Sequence, residues 1–269
     1  MHRSSRPPLH VHRFGPAAAP RVLAVHGLTG HGRRWETLAA TELPGVAVAA
    51  PDLIGHGRST WAPPWTIDAN ADALASVIED AQATEPVVVV AHSFGCAVAL
   101  RLAATHPDRV AALVLLDPAV GLDGEWMGEI ADAMYGSPDY TDAAEARNEK
   151  AFGSWADVAA AQLDAEIDEH LVELPNGRVG WRICIPAMMS YWSELTRDIA
   201  VPPTDIPVTL VRAGRTSPPY VSAELIETLR QRPDFRLVDL DCDHMIEQAK
   251  PAQTAQLIRE TLANIPCRR

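Results

Sequence analysis

Short unbroken apolar runs alternate with longer stretches of helical periodicity at both ends of this chain. The runs at 21–26, 46–50, 86–91, 110–116, 206–212 and 235–240 are rich in Val, Leu and Ala and too short for buried helices, so they read as strands. A polar-alternating segment at 9–13 adds an antiparallel edge strand. Apolar positions recur with helical spacing over 32–42, 67–83, 94–106, 222–231 and 251–264, and Pro or Gly bounds several of these stretches. Strands that are apolar throughout and alternate with helices predict an α/β fold, in which a mostly parallel sheet is covered by helices on both faces.

Between 122 and 203 the alternation stops, and the chain shows helical periodicity and aromatic residues without an obvious strand. This predicts a core made of 1–121 and 204–269, interrupted by a helical cap insertion at 122–203. Residues 123–200 contain 16 Asp or Glu against 5 Lys or Arg, so 11 of the 12 net negative charges fall in the insertion. A solvated outer face accounts for such a charge load, and a cap that disfavours anionic substrates is the sharper alternative. No internal repeat or low-complexity tract is present.

A chain of 269 residues, 47% hydrophobic and 22% charged, can bury a large core. A net charge of -12 removes the attraction to phosphates on which nucleic-acid binding depends. The stretch 1–8 carries charge with no apolar segment behind it, and no apolar run approaches the ~18 residues of a bilayer span, which predicts a cytoplasmic protein without stable membrane insertion. Cys96, Cys184, Cys242 and Cys267 form no C-x-x-C pair and are expected to be free thiols. Nothing in the sequence calls for a metal or an organic cofactor.

The sharpest chemical signal is Ala91-His92-Ser93-Phe94-Gly95, placed between the run Pro86-Val87-Val88-Val89-Val90 and an alanine-rich helix. A strand turning sharply into a helix lifts the residue at the turn out of the sheet, and small residues two positions to either side let strand and helix cross closely. The pattern is G-x-S-x-G with Ala91 in the first glycine position, and it marks Ser93 as a nucleophile. A serine needs a base. His244 lies directly after the last predicted strand and before the final helix, and of ten histidines it alone follows His170. Two N–H donors must hold a developing oxyanion: Phe94 N–H after the nucleophile, and Leu28 N–H in His26-Gly27-Leu28-Thr29-Gly30, where an apolar strand ends in glycines.

His26-Gly27, Pro51-Asp52-Leu53-Ile54-Gly55-His56-Gly57-Arg58-Ser59, the elbow and His244 occur in the order and spacing of the α/β-hydrolase superfamily, which the chain resembles over all but the cap. Within it the chain is most like the small actinobacterial esterase/lipase-like hydrolases of the LipV group. The resemblance implies a Ser, acid, His order. Many relatives carry the acid just past a glycine after the strand that follows the cap, but here Ser217 of Arg212-Ala213-Gly214-Arg215-Thr216-Ser217-Pro218 stands in that place. Others, such as haloalkane dehalogenases, carry it at the end of the strand after the elbow helix, where this chain has Asp117. Asp117 is therefore the candidate acid, with capping of the strand as its alternative role and Asp241 and Asp243 as further candidates. In the Asp52 to Ser59 segment, Asp52 is expected to hold a loop and Gly55 and Gly57 to serve turns.

A serine at the elbow disfavours epoxide hydrolase and dehalogenase chemistry and leaves acyl transfer to water, on neutral short- to medium-chain acyl esters. Trp126, Met127, Met134, Trp155, Trp181, Met188, Met189, Tyr191 and Trp192 could line an acyl pocket or form the cap's core. A carbon–carbon bond hydrolase of the same fold, and a ligand receptor with little turnover, are the alternatives. The oligomeric state is not legible.

Overall fold

The computed structural model describes residues 9–265. Cys267 and the stretch 1–8 lie outside them. Along the chain run β1 (Val11–Phe14), β2 (Val22–Val25), β3 (Val48–Pro51), α1 (Ile67–Asp80), β4 (Val87–His92), α2 (Phe94–Thr105) and β5 (Val110–Leu116). Then come α3 (Gly124–Gly136), α4 (Ala143–Phe152), α5 (Ala160–His170), β6 (Leu171–Glu173), β7 (Val179–Trp181) and α6 (Ile185–Glu194). The chain closes with β8 (Val208–Ala213), α7 (Ala223–Arg230), β9 (Phe235–Leu240), α8 (Ile246–Ala249) and α9 (Pro251–Asn264).

The seven-stranded sheet has the order β1-β3-β2-β4-β5-β8-β9. Only the β1–β3 pair is antiparallel, with Val11 opposite Pro51 and His12 opposite Ala50. Successive side chains of a strand point to opposite faces, and the core divides accordingly. Val89, Leu113 and Leu115 pack with Leu74 of α1 and Leu100 of α2 on one side. Val88, Val90, Val114 and Leu116 pack with Ala255 and Ile258 of α9 on the other. Both faces are thus buried, which is why the central strands carry no polar alternation.

Two local expectations are corrected. The 32–42 helix is a 3-10 turn (Gly32–Trp35) followed through Glu36 and Thr37 by a π turn (Leu38–Glu42). Long-range partners set this winding: Gly32 lies so close to β3 that a Cβ there would meet the Ala50 carbonyl oxygen at 2.1 Å, and its N–H donates to Asp52 Oδ1 at 2.7 Å. The 122–203 segment is not free of strands. It contains the hairpin β6–β7, with Leu171 opposite Trp181, turned through Asn176 and Gly177, whose φ of +80° needs glycine. Two of its helices, α3 and α4, start at aspartate caps, with Asp123 and Asp142 accepting from the N–H groups of Trp126 and Glu145. Among the described residues no helix is long and apolar enough to cross a membrane.

Candidate active site

The carboxyl ends of β2, β4, β5, β8 and β9 all open on one edge of the sheet, where a parallel α/β fold builds its sites. Ser93 stands between β4 and α2 with φ +53° and ψ −121°, a strained conformation for a residue with a Cβ. It is tolerated because close packing leaves no alternative. A Cβ on Gly95 would lie 2.5 Å from the His26 carbonyl oxygen, and the Ser93 N–H donates to Leu116 O at 2.9 Å.

His244, after β9, is brought to this point with both ring nitrogens occupied. Nε2 lies 2.9 Å from Ser93 Oγ, and Nδ1 lies 2.6 Å from Asp117 Oδ2. Asp117 follows β5 at a φ of +41° and is 1% exposed. Its Oδ1 accepts from Ala213 N–H at 3.1 Å, and Thr216 Oγ1 donates to Oδ2 at 3.3 Å. Both partners belong to the end of β8 and the loop after it, the segment where Ser217 displaces the more common acid. β5 and β8 are paired neighbours, so an acid at the end of either can reach the same imidazole. Asp241 instead is a surface group, its side chain 92% exposed beside Arg215 at 3.4 Å. The Asp243 N–H donates to Asp157.

The 26–30 loop lies against the elbow. A Cβ on Gly27 would meet Ser93 Cβ at 3.0 Å and His92 Nδ1 at 2.8 Å. The Gly27 carbonyl accepts from Gly30 N–H at 3.0 Å and faces His26 Nδ1 at 2.8 Å, while His26 Nε2 takes the Leu53 N–H at 2.9 Å. This pattern assigns the proton to Nδ1 and pins one face of the Gly27–Leu28 peptide. Because the peptide is planar and trans, the Leu28 N–H must point to the opposite face. The Phe94 N–H, in the first turn of α2, has no carbonyl of its own helix to bind. Asp52 holds its loop as expected, accepting from Gly32 and Arg58 N–H at 2.7 and 2.8 Å.

Behind His244 sits a buried pair that the sequence did not mark. His92 Nε2 is 2.9 Å from the His244 carbonyl oxygen, and its Nδ1 is 3.5 Å from Glu247 Oε1. Burial pushes the Glu247 carboxyl up to about 7. Burial and the neighbouring His244 push His92 well below the usual imidazole range, so the pair is not a preformed ion pair. Below pH 4.5 Glu247 is protonated in folded and unfolded chains alike; between 4.5 and about 7 only the folded chain keeps the proton, so stability falls as pH rises. Over that window the group removes on the order of 3 kcal/mol. Urea midpoints of Glu247→Gln are therefore expected to fall less than those of wild type between about pH 5 and pH 8. Parallel pH dependence of the two proteins would contradict this assignment.

A second buried network ties the 122–203 segment to the loop beside the elbow. Glu166 of α5 receives Arg34 through Nε at 3.0 Å and Nη2 at 2.6 Å, His31 Nε2 at 2.9 Å and Lys150 Nζ at 3.0 Å. Arg34 Nη2 also donates to the Thr29 carbonyl at 3.1 Å, which His170 Nε2 faces at the same distance. Burial alone would raise the Glu166 carboxyl, but the Arg34 and Lys150 charges outweigh it and hold it well below the usual range. Lys150, over the rings of Trp155 and Trp181, is pushed down to about 8 by burial. Glu166→Ala leaves two buried cations without a counter-charge and is expected to cost about 3–5 kcal/mol in urea unfolding. A loss under about 1 kcal/mol would mean that water already screens the cluster.

Of the aromatic and Met residues in 122–203, Trp126 reaches His244 through one intervening ring. Its ring stacks on Tyr220 at 5.3 Å, which packs on the His244 ring at 4.5 Å. Met127, Met188 and Tyr191 are core, and Trp155 and Trp181 belong to the Lys150 cluster. A cavity of about 1060 Å³ lies at the other end of the strands, lined by Pro20, Glu85, Pro86, Pro207 and Phe235 and by none of Ser93, Asp117 or His244. We therefore place no chemistry there.

Comparison with known proteins agrees with this geometry at the level of the fold. The model of the alpha/beta hydrolase family matches residues 22–257. Lipase LipV of Mycobacterium tuberculosis is 61% identical over 256 residues, 94% of this chain and 97% of that protein. An esterase of the same organism is 28% identical over 93% of this chain and 85% of its own length. Among solved structures, E-2-(acetamidomethylene)succinate hydrolase superposes with a TM-score of 0.81 at 24% identity, covering 95% of each chain.

Proposed function

The chain belongs to the alpha/beta hydrolase family, and on that premise we propose that it is a serine carboxylesterase of lipase-like type, acting on neutral short- to medium-chain acyl esters. The observation that carries this reading is the continuous relay from Ser93 Oγ through His244 to Asp117, with contacts of 2.9 and 2.6 Å. The names of the similar lipase and esterase support the same class.

In this reading Ser93 Oγ attacks the ester carbonyl carbon while His244 Nε2 takes its proton. Asp117 holds the Nδ1–H tautomer and stabilises the imidazolium. The N–H groups of Phe94 and Leu28 receive the oxyanion. Collapse breaks the carbon–oxygen bond, and His244 returns the proton to the leaving alcohol. Water, deprotonated by the same imidazole, then attacks the acyl carbon, the acyl–Oγ bond breaks, and His244 returns the proton to Ser93 Oγ as the acid leaves.

The 122–203 segment acts as the cap, with Trp126 and Tyr220 as an apolar wall beside His244. Such a wall suits an acyl chain, and the acidic excess of the segment opposes anionic substrates. Steady-state hydrolysis of p-nitrophenyl esters from acetyl to palmitoyl tests the reading. The expected result is multiple turnovers with an optimum at short to medium chains. A preference for an anionic dienoate would support the carbon–carbon hydrolase, and a single slow turnover with retained ligand the receptor.

A further inference from the structure

Among the described residues, one group of histidine and carboxylate side chains brings its donor atoms within 4.8 Å of one another: His10, His12 and Asp52. It lies on the β1–β3 edge of the sheet, and neither the relay nor the oxyanion loop uses His10 or His12. The two imidazoles are two residues apart in an extended chain and so lie on one face. Their platform is fixed. The Asp52 N–H donates to the His10 carbonyl at 2.8 Å, the His10 N–H donates to Ser59 Oγ at 2.8 Å, and His12 is in register with Ala50.

The donor atoms also have the right chemistry. His12 Nε2 is shielded from water and makes no hydrogen bond, although Asp52 Oδ1 lies only 3.3 Å from it. The two groups stand at ion-pair distance but out of hydrogen-bond alignment, so a shared cation would satisfy both better than they satisfy each other. Zinc bonds of about 2.0–2.2 Å to nitrogen and oxygen place neighbouring ligand atoms of a tetrahedron about 3.3–3.6 Å apart, which the His12–Asp52 pair meets at 3.3 Å, with the His10 donor atom within 4.8 Å of both. Asp52 keeps lone pairs for a metal while accepting from Gly32 and Arg58 N–H. The Arg58 guanidinium, the nearby cation, is turned onto Glu169. The His10 side chain is exposed and lies beside the His12 ring, their centroids 4.6 Å apart.

We propose that His10, His12 and Asp52 bind one divalent transition-metal ion of the zinc, cobalt or nickel type, with water completing the shell. Two imidazoles and one carboxylate select these ions over calcium and magnesium, which need more oxygen ligands. The ion lies at the sheet edge and takes no part in acyl transfer.

The test uses the full chain without an affinity tag, titrated with cobalt(II) by visible absorption and with zinc(II) by calorimetry. One equivalent is expected to bind, with the visible bands of low-coordinate cobalt, and zinc is expected to raise the thermal midpoint. His10→Gln, which removes an exposed ligand and leaves the core intact, is expected to weaken binding by about tenfold or more and to reduce the thermal shift. His106→Gln, at the separate pair with Asp72, is expected to bind as wild type does. Absence of saturable binding, or full affinity in His10→Gln, overturns the proposal.

Discussion

Ser93→Ala is expected to lower kcat for a neutral ester by about a millionfold, the scale on which serine hydrolases lose rate when the nucleophile goes. The variant should fold as well as wild type. The strained turn, φ +53° and ψ −121°, is held by the Gly95 contact and the Leu116 hydrogen bond, neither of which involves the serine hydroxyl. Alanine accepts that backbone no worse than serine, since both carry a Cβ. The informative result is therefore the combination of lost turnover with an unchanged thermal midpoint. Turnover within tenfold of wild type would remove Ser93 from the chemistry.

Asp117→Asn is expected to lower kcat about ten-thousandfold, or about 5 kcal/mol of barrier. The asparagine oxygen can still accept from Ala213 N–H, so the local structure has a partner for the new side chain. It cannot stabilise an imidazolium, and its amide turned towards His244 would favour the wrong tautomer. The loss is expected in kcat, with KM nearly unchanged, because the interaction strengthens only as charge develops on His244. A variant with wild-type kcat would reduce Asp117 to a strand-end residue that caps Ala213.

Much of this arrangement was legible because it rests on local signals in chain order. A β-branched run, a small residue, a serine and a glycine define the elbow over a few positions, and a histidine after the last strand needs only the strand pattern to be found. Asp117 was legible through the family resemblance: the end of β5 is visible as the end of an apolar run, and some relatives carry their acid at that place. Its partners were not. Ala213 and Thr216 reach it from a strand about a hundred residues away, and only the pairing of β5 with β8 brings them there.

The Glu166 network is the clearest case of what one-dimensional reading misses. In the sequence Glu166 is one of many acids in a segment whose bulk charge suggests a solvated face. In the structure it is the buried partner of Arg34, 132 positions distant, and of Lys150. Burial is decided by packing, and composition cannot separate a solvated carboxylate from one enclosed by cations. The β6–β7 hairpin differs, because its Asn176-Gly177 turn is a local signal in plain view, masked by the helical periodicity around it.

The identity of the nucleophile is tested most directly by covalent capture. In wild-type protein incubated with a fluorophosphonate, Ser93 Oγ is expected to displace fluoride from the reagent's phosphorus and carry one phosphonyl group in place of its proton, located by peptide mass spectrometry on Ser93 and absent from Ser93→Ala. An adduct on another residue, or an unmodified protein that still hydrolyses esters, would contradict the assignment of Ser93 as the acyl-bearing residue.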